Sequence, residues 1–406
     1  IALGLAFTMA ITLFGQNKDK RDELIYKEKK PGFYQDSIQT GIKTFNMRFE
    51  KEKKAEYPSM DFSGYDFPTD PDKYDQFWHN EPVSQGATGT CWCYAATSFL
   101  ESEVHRITGK EVKLSEMYIV YWEYVARAEY FVEHRGEMHL GQGSESNAVT
   151  KIMRDYGVMP LSAYSGKQQG QKYHDHSRMF KEIKSFLSDV KDDNLWNKTY
   201  VVATVKSILD HYMGEPPAEF TWEGKTYQPK TFMNHLQLNP GDYFSFMSTK
   251  SKPYNQKGEL TEPDNWWHSD DYYNVHLDDF FTVITGALDD GYTLSICGDV
   301  SEPGYDRYTE VGIIPSFDIP QDYINEDSRE YRINNETTTD DHCIHIVGYT
   351  KEKDDYWFLI KDSSSSAYDG PNKGYRFMRE DYIRLKILAV MTHKYAAREV
   401  LDKIIK

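Results

Sequence analysis

Cys91 stands in the segment Ser84-Gln85-Gly86-Ala87-Thr88-Gly89-Thr90-Cys91-Trp92-Cys93-Tyr94, where small residues and glycines give way to an apolar-periodic run. That pattern predicts a backbone-rich loop delivering a cysteine to the first turn of a helix. There the positive end of the helix dipole and the free N–H groups favour a thiolate over a thiol. Gln85 lies six residues before Cys91. Its amide can swing back toward the same point and, with the Cys91 N–H, stabilise an oxyanion.

A thiolate nucleophile needs a base, and the base needs an orienting group. The run Asp341-His342-Cys343-Ile344-His345-Ile346-Val347-Gly348-Tyr349 alternates like a strand and ends in a glycine turn. His342 and His345 fall on opposite faces of such a strand, so both cannot serve one site. The next apolar stretch, Tyr356-Trp357-Phe358-Leu359-Ile360, ends in Lys361-Asp362-Ser363. Asp362 can accept a hydrogen bond from a histidine ring, or sit in a simple solvated turn.

The nucleophile segment resembles that of papain-like cysteine peptidases. The cysteine that opens their signature is Thr88 here, a departure shared with the bleomycin hydrolase and aminopeptidase C branch. The resemblance selects His342 as base and leaves His345 as a packing residue. It puts Asp362 where the family carries asparagine, and Ser364 and Ser365 where it carries tryptophan and glycine. A carboxylate there should favour the imidazolium. Further segments are similar to that branch in the same order: Lys113–Val125, Gly141-Gln142-Gly143-Ser144, Tyr156-Gly157-Val158-Met159-Pro160, Tyr273-Asn274-Val275 and Ile296-Cys297-Gly298-Asp299-Val300. The likeness covers about residues 77–165 and 265–400.

The resemblance implies a papain-like α+β fold of two lobes, one helical and one strand-rich and barrel-like, with a helical insertion. It implies peptide substrates, a catalytic set of Cys91, His342, Asp362 and Gln85, and substrate contacts at Trp92, Gly141, Gly143 and Cys343. It implies no cofactor and no metal. Such enzymes hold the substrate amino group with the terminal carboxylate of a C-terminal arm. Val400–Lys406 reads as the helix that precedes that arm, which leaves the non-primed side of the cleft open unless the N-terminal arm or the 180–260 insertion fills it; an acidic side chain from either can capture an amino group. The alternative is a catalytically degenerate papain-fold protein that binds peptides or acts as a scaffold.

The net charge of −17 over 406 residues argues against nucleic acid as a partner, because phosphate binding needs clustered Lys and Arg. A homo-oligomer is left open. Cys93, Cys297 and Cys343 read as buried small residues, and no Cys/His spacing reads as a zinc site.

Five segments must position these groups. Residues 1–15 read as a signal peptide whose n-region is missing, too short to span a bilayer, with a buried N-terminal helix as the alternative. This predicts export to a periplasm or beyond, with no stable membrane anchor after cleavage. Residues 16–76 read as a charged, then Pro-, Tyr- and Asp-rich N-terminal arm. Residues 77–179 form the helical lobe with the nucleophile. Its central helix runs from Cys91 to Thr108, with Ala96, Phe99, Leu100, Val104 and Ile107 on one face and Gly109 as its stop. Residues 180–264 read as a mostly helical insertion. Residues 265–406 form the strand-rich lobe, closed by a C-terminal helix.

Overall fold

The computed structural model describes residues 22–46 and 56–405. The proposed signal segment lies outside them. The helix Cys91–Thr108 ends where Gly109 turns left-handed (φ 69°) and returns its N–H to the His105 carbonyl. Glycine takes that conformation without a Cβ penalty. Trp92, Ala96, Phe99, Leu100 and Val104 of this helix are buried together with Met117, Tyr121 and Val125 of the helix Glu116–Glu133. Ser115 starts the second helix, its Oγ accepting from the Tyr118 N–H. The helices Ser177–Asp192 and Lys198–Met213 bury Ile183, Leu187, Val205 and Leu209 in the same core.

A ten-stranded sheet forms the second lobe. At its centre His342–Glu352 pairs antiparallel with Leu294–Gly298 on one side and Asp355–Lys361 on the other. Strand alternation splits the central residues between two faces. Cys297, Cys343 and Met391 face the helical lobe's core. Ile296, Ile344, Ile346 and Val390 face a second core, with Phe280, Ile284 and Leu288 of the helix Leu277–Asp289. Both faces are covered, so these strands are apolar almost throughout.

The boundaries of the middle segment differ from the expected ones. Tyr243–Met247 and Gln256–Gly258, read from sequence as part of the insertion, are strands of the large sheet. The first pairs with Ile387–His393, a partner far along the chain that local pattern does not reveal. The arm strand Leu24–Glu28 pairs with Glu56–Met60. Met60 and Phe62 are then buried with Trp357 and Phe377 of the sheet. Farther along the arm, Phe33 stacks on Tyr368 at 5.0 Å.

Candidate active site

Cys91 is the first residue of its helix and is half-buried. The Cys93 and Tyr94 amides bond the Thr90 carbonyl, whereas the Cys91 N–H has no intrahelical acceptor within reach at this position. His342 begins its strand, opposite Gly298. Its Nε2 lies 2.7 Å from Asp362 Oδ1, which leaves Nδ1 for Cys91. Burial pushes the imidazole pKa down, but the Asp362 charge and then the Cys91 charge, with hydrogen bonds to both, hold it well above its usual value.

Asp362 is fully buried, and its charge is met from several sides. Arg376 Nε donates to Oδ2 at 2.8 Å, the Ser364 N–H to Oδ1 at 2.7 Å and Ser364 Oγ to Oδ2 at 2.9 Å. Burial raises this carboxyl, but His342 and then Arg376 outweigh it and hold it far below the ordinary carboxylate range. Arg376 is fixed in turn by the Asp306 carbonyl and Ser366 Oγ, with its guanidinium 4.6 Å from the Tyr305 ring centre. Ser364 and Tyr305 cover the carboxylate that a tryptophan would otherwise shield.

Gln85 borders an open cleft of about 550 Å³ that it shares with Gln142, His342, Ser364 and the arm residues Lys29 and Tyr34. Its Nε2 donates to the Thr88 carbonyl at 2.7 Å, and its Oε1 accepts from Ser363 Oγ at 2.8 Å. An amide NH2 carries two donors, so one N–H remains for the cleft. Next to Gln85, Gly86 has φ +71°, and a side chain there would strike the His174 carbonyl.

Gln142 brings the loop 141–143 to the same cleft. Arg127, buried on its own helix, pairs with Glu123 at 2.8 Å and donates to the carbonyls of Gly141 and Gly143. Gln142 ties that loop to the nucleophile segment: its Oε1 accepts from the Gly89 N–H at 3.1 Å and its carbonyl from Trp92 Nε1 at 3.2 Å.

Residues 74–406 match the model of the Peptidase C1-like family. The chain belongs to that family. This C1-like chain is 24% identical to Aminopeptidase C of Listeria monocytogenes serovar 1/2a over 261 residues, which is 54% of the chain and 58% of that relative. It is 24% identical to Aminopeptidase C of Listeria innocua serovar 6a over 266 residues, 55% of the chain and 60% of the relative. The matched part thus spans less than two thirds of these relatives' length. The crystal structure of PepW from Lactobacillus rhamnosis HN001 superposes with a TM-score of 0.64 at 16% identity, over 84% of this chain and 85% of that one. That likeness shows the papain-like α+β fold.

Three sequence expectations need correction. Trp92 is 0% exposed, so it supports the Gln142 loop instead of touching substrate. Cys343 and Cys297 are not separate buried thiols: they form a disulfide across the registered pair Cys343–Cys297. Bonded and buried, Cys343 offers substrate no thiol. Cys93 is buried and free, its Sγ 3.2 Å from the Glu116 carbonyl. His345 lies on the helical-lobe side of its strand, with Nδ1 2.9 Å from Ser98 Oγ. Sequence reasoning missed Arg376 and Arg127. Arg376 had a signal: an arginine inside the apolar strand Tyr375–Arg379, in a fold where Asp362 adds a buried charge.

Proposed function

We propose that this C1-like chain is a cysteine peptidase acting on short peptides. The observation that carries the reading is the His342 ring held between Asp362 and Cys91, with Cys91 heading a helix. His342 takes the Cys91 proton, and the thiolate attacks a peptide carbonyl carbon. The Cys91 N–H and the spare Gln85 N–H hold the oxyanion. The imidazolium then protonates the leaving amine, and water releases the acyl group. Gly141 and Gly143 present the wall along which the peptide lies.

The names of the Listeria relatives support aminopeptidase action. The Cys297–Cys343 disulfide supports export, since such bonds persist in oxidising compartments. Titration with an irreversible, thiol-directed peptide-like inhibitor tests the reading. One equivalent of label on Cys91, with matching loss of hydrolysis, is expected. Peptide binding without label on Cys91 refutes it in favour of a binding module.

A further inference from the structure

The chemistry above gives the N-terminal arm no task, yet the arm reaches the cleft. Lys29 follows the strand Leu24–Glu28, and Tyr34 and Gln35 open the helical turn Tyr34–Gln39. All three line the space of about 550 Å³ that also holds Gln85, His342 and Ser364. Asp369, whose side chain is 2% exposed, fastens this stretch. It accepts the Phe33 N–H, and Gly32 lies so close that a Cβ there would fall 2.4 Å from Oδ2. Ile38, farther along the same turn, is fully buried. Asp369 also takes Arg307 Nη1 at 3.2 Å, and Arg307 lines the same space. One carboxylate thus sets both the course of the arm past Lys29 and the place of Arg307.

The charges of this space are of one sign. Its lining includes Lys29, Arg307 and His342 and, among the described residues, no aspartate or glutamate. That is a reversal for a chain with 64 acidic and 47 basic residues. Lys29 is exposed and has no ion-pair partner among the described residues. Arg307 gives one N–H to Asp369, and a guanidinium carries five donors. Asp362 does not offset these cations, because His342 and Arg376 already hold its charge. A cleft lined by one sign focuses its field and concentrates the opposite charge.

The space lies on the leaving-group side of the scissile bond. It holds the His342 ring that protonates the leaving amine and the Gln85 amide that faces the oxyanion, whereas Cys91, Gly141 and Gly143 do not line it. The acyl part stays on Cys91. The chain beyond the departing nitrogen therefore runs from His342 past Ser364 toward Lys29 and Arg307.

We propose that Lys29 and Arg307 bind a carboxylate of the leaving group, so that the arm sets the preference of the enzyme beyond the cut. The inference rests on the peptidase reading and gives the same cleft a substrate class: peptides with an anionic group just after the scissile bond. The carboxylate has two sources, the free carboxyl terminus of a short peptide or the side chain of an acidic residue.

Four tripeptides separate these sources, with cleavage after the first residue followed by mass spectrometry. Ala-Ala-Ala and its carboxyl-terminal amide differ only at the terminus; the amides of Ala-Asp-Ala and Ala-Asn-Ala differ only in the side chain. The unsubstituted enzyme should prefer the carboxylate member of at least one pair, and that pair names the source. In Lys29→Gln and in Arg307→Gln, the ratio of kcat/KM within that pair should fall about 5-fold, the upper end for an exposed ion pair. Lys29→Arg should keep it, and raising NaCl from about 50 to about 500 mM should shrink it in the unsubstituted enzyme. A ratio indifferent to Lys29→Gln, Arg307→Gln and salt overturns the proposal. A second readout needs no hydrolysis: the dipeptide Ala-Ala should slow alkylation of Cys91 by iodoacetamide more than its amide does, and Lys29→Gln should erase that difference. Protection without hydrolysis of any tripeptide overturns the peptidase reading and leaves the carboxylate site standing. Hydrolysis with no carboxylate preference in either pair and no difference in protection overturns the carboxylate site alone.

Discussion

Exchanging Asp362 for asparagine tests whether His342 and Arg376 are held as one charge system. The carboxylate presents Oδ1 to His342 at 2.7 Å and Oδ2 to Arg376 at 2.8 Å, with Ser364 donating to both oxygens. Asparagine has a single acceptor oxygen. If that oxygen stays on His342, the amide NH2 meets the Arg376 N–H, a donor facing a donor, while the Ser364 hydroxyl can turn to accept. Arg376 keeps its bonds to the Asp306 carbonyl and Ser366 but loses its counter-ion. Breaking a buried ion pair from one side costs about 3–5 kcal/mol. His342 loses the stronger of its two charge partners, leaving Cys91 to hold the proton. Opposite charges about 4 Å apart attract by about 4 kcal/mol at an effective dielectric constant of 20, which sets the ceiling for the effect on the imidazolium.

The direction with pH follows from the two shifts. Asp362 is depressed in the fold, so its contribution is present above the unfolded carboxylate value of about 3.9 and is lost as pH falls through the folded one. His342 is raised, so its contribution is full below the unfolded value of about 6.5 and is lost as pH rises through the folded one. Both contributions are therefore full between about pH 4 and 6.5. Urea unfolding across pH should place the largest deficit of Asp362→Asn in that window. The alkaline limb of kcat/KM should move to lower pH. Asp362→Asn with Arg376→Gln, whose Oε1 can accept from the new amide, should recover stability without restoring the alkaline limb. If Asp362→Asn alone unfolds like the parent and keeps its pH profile, the charge coupling is wrong.

Cys91→Ala should abolish hydrolysis while Cys93→Ala retains it, because Cys93 is buried away from the cleft; the opposite pattern in a fluorogenic assay would reassign the nucleophile. Replacing both Cys297 and Cys343 by alanine should lower the unfolding free energy by up to about 4 kcal/mol, the chain-entropy value for a loop of this span. Superimposable guanidinium curves under non-reducing conditions would refute that. Arg127→Lys keeps a charge beside Glu123 but loses the fork that holds the Gly141 and Gly143 carbonyls. KM should rise more than kcat falls, and an unchanged KM would remove Arg127 from cleft positioning.

What the sequence disclosed was what short-range physics decides. The helix from Cys91 to Gly109 follows from an apolar stripe and a glycine that can turn left-handed. The alternation around His342 separates it from His345, which lies against Ser98. What it concealed depends on partners brought together by the sheet. Cys297 and Cys343 are 46 residues apart and become a disulfide only because their strands pair in that register. Tyr243–Met247 is too short to declare itself until Ile387–His393 lies beside it. Asp362, read alone, is a carboxylate whose burial nothing in its own segment balances. The strand carrying Arg376 supplies the compensating charge, and the two residues are intelligible only as a pair.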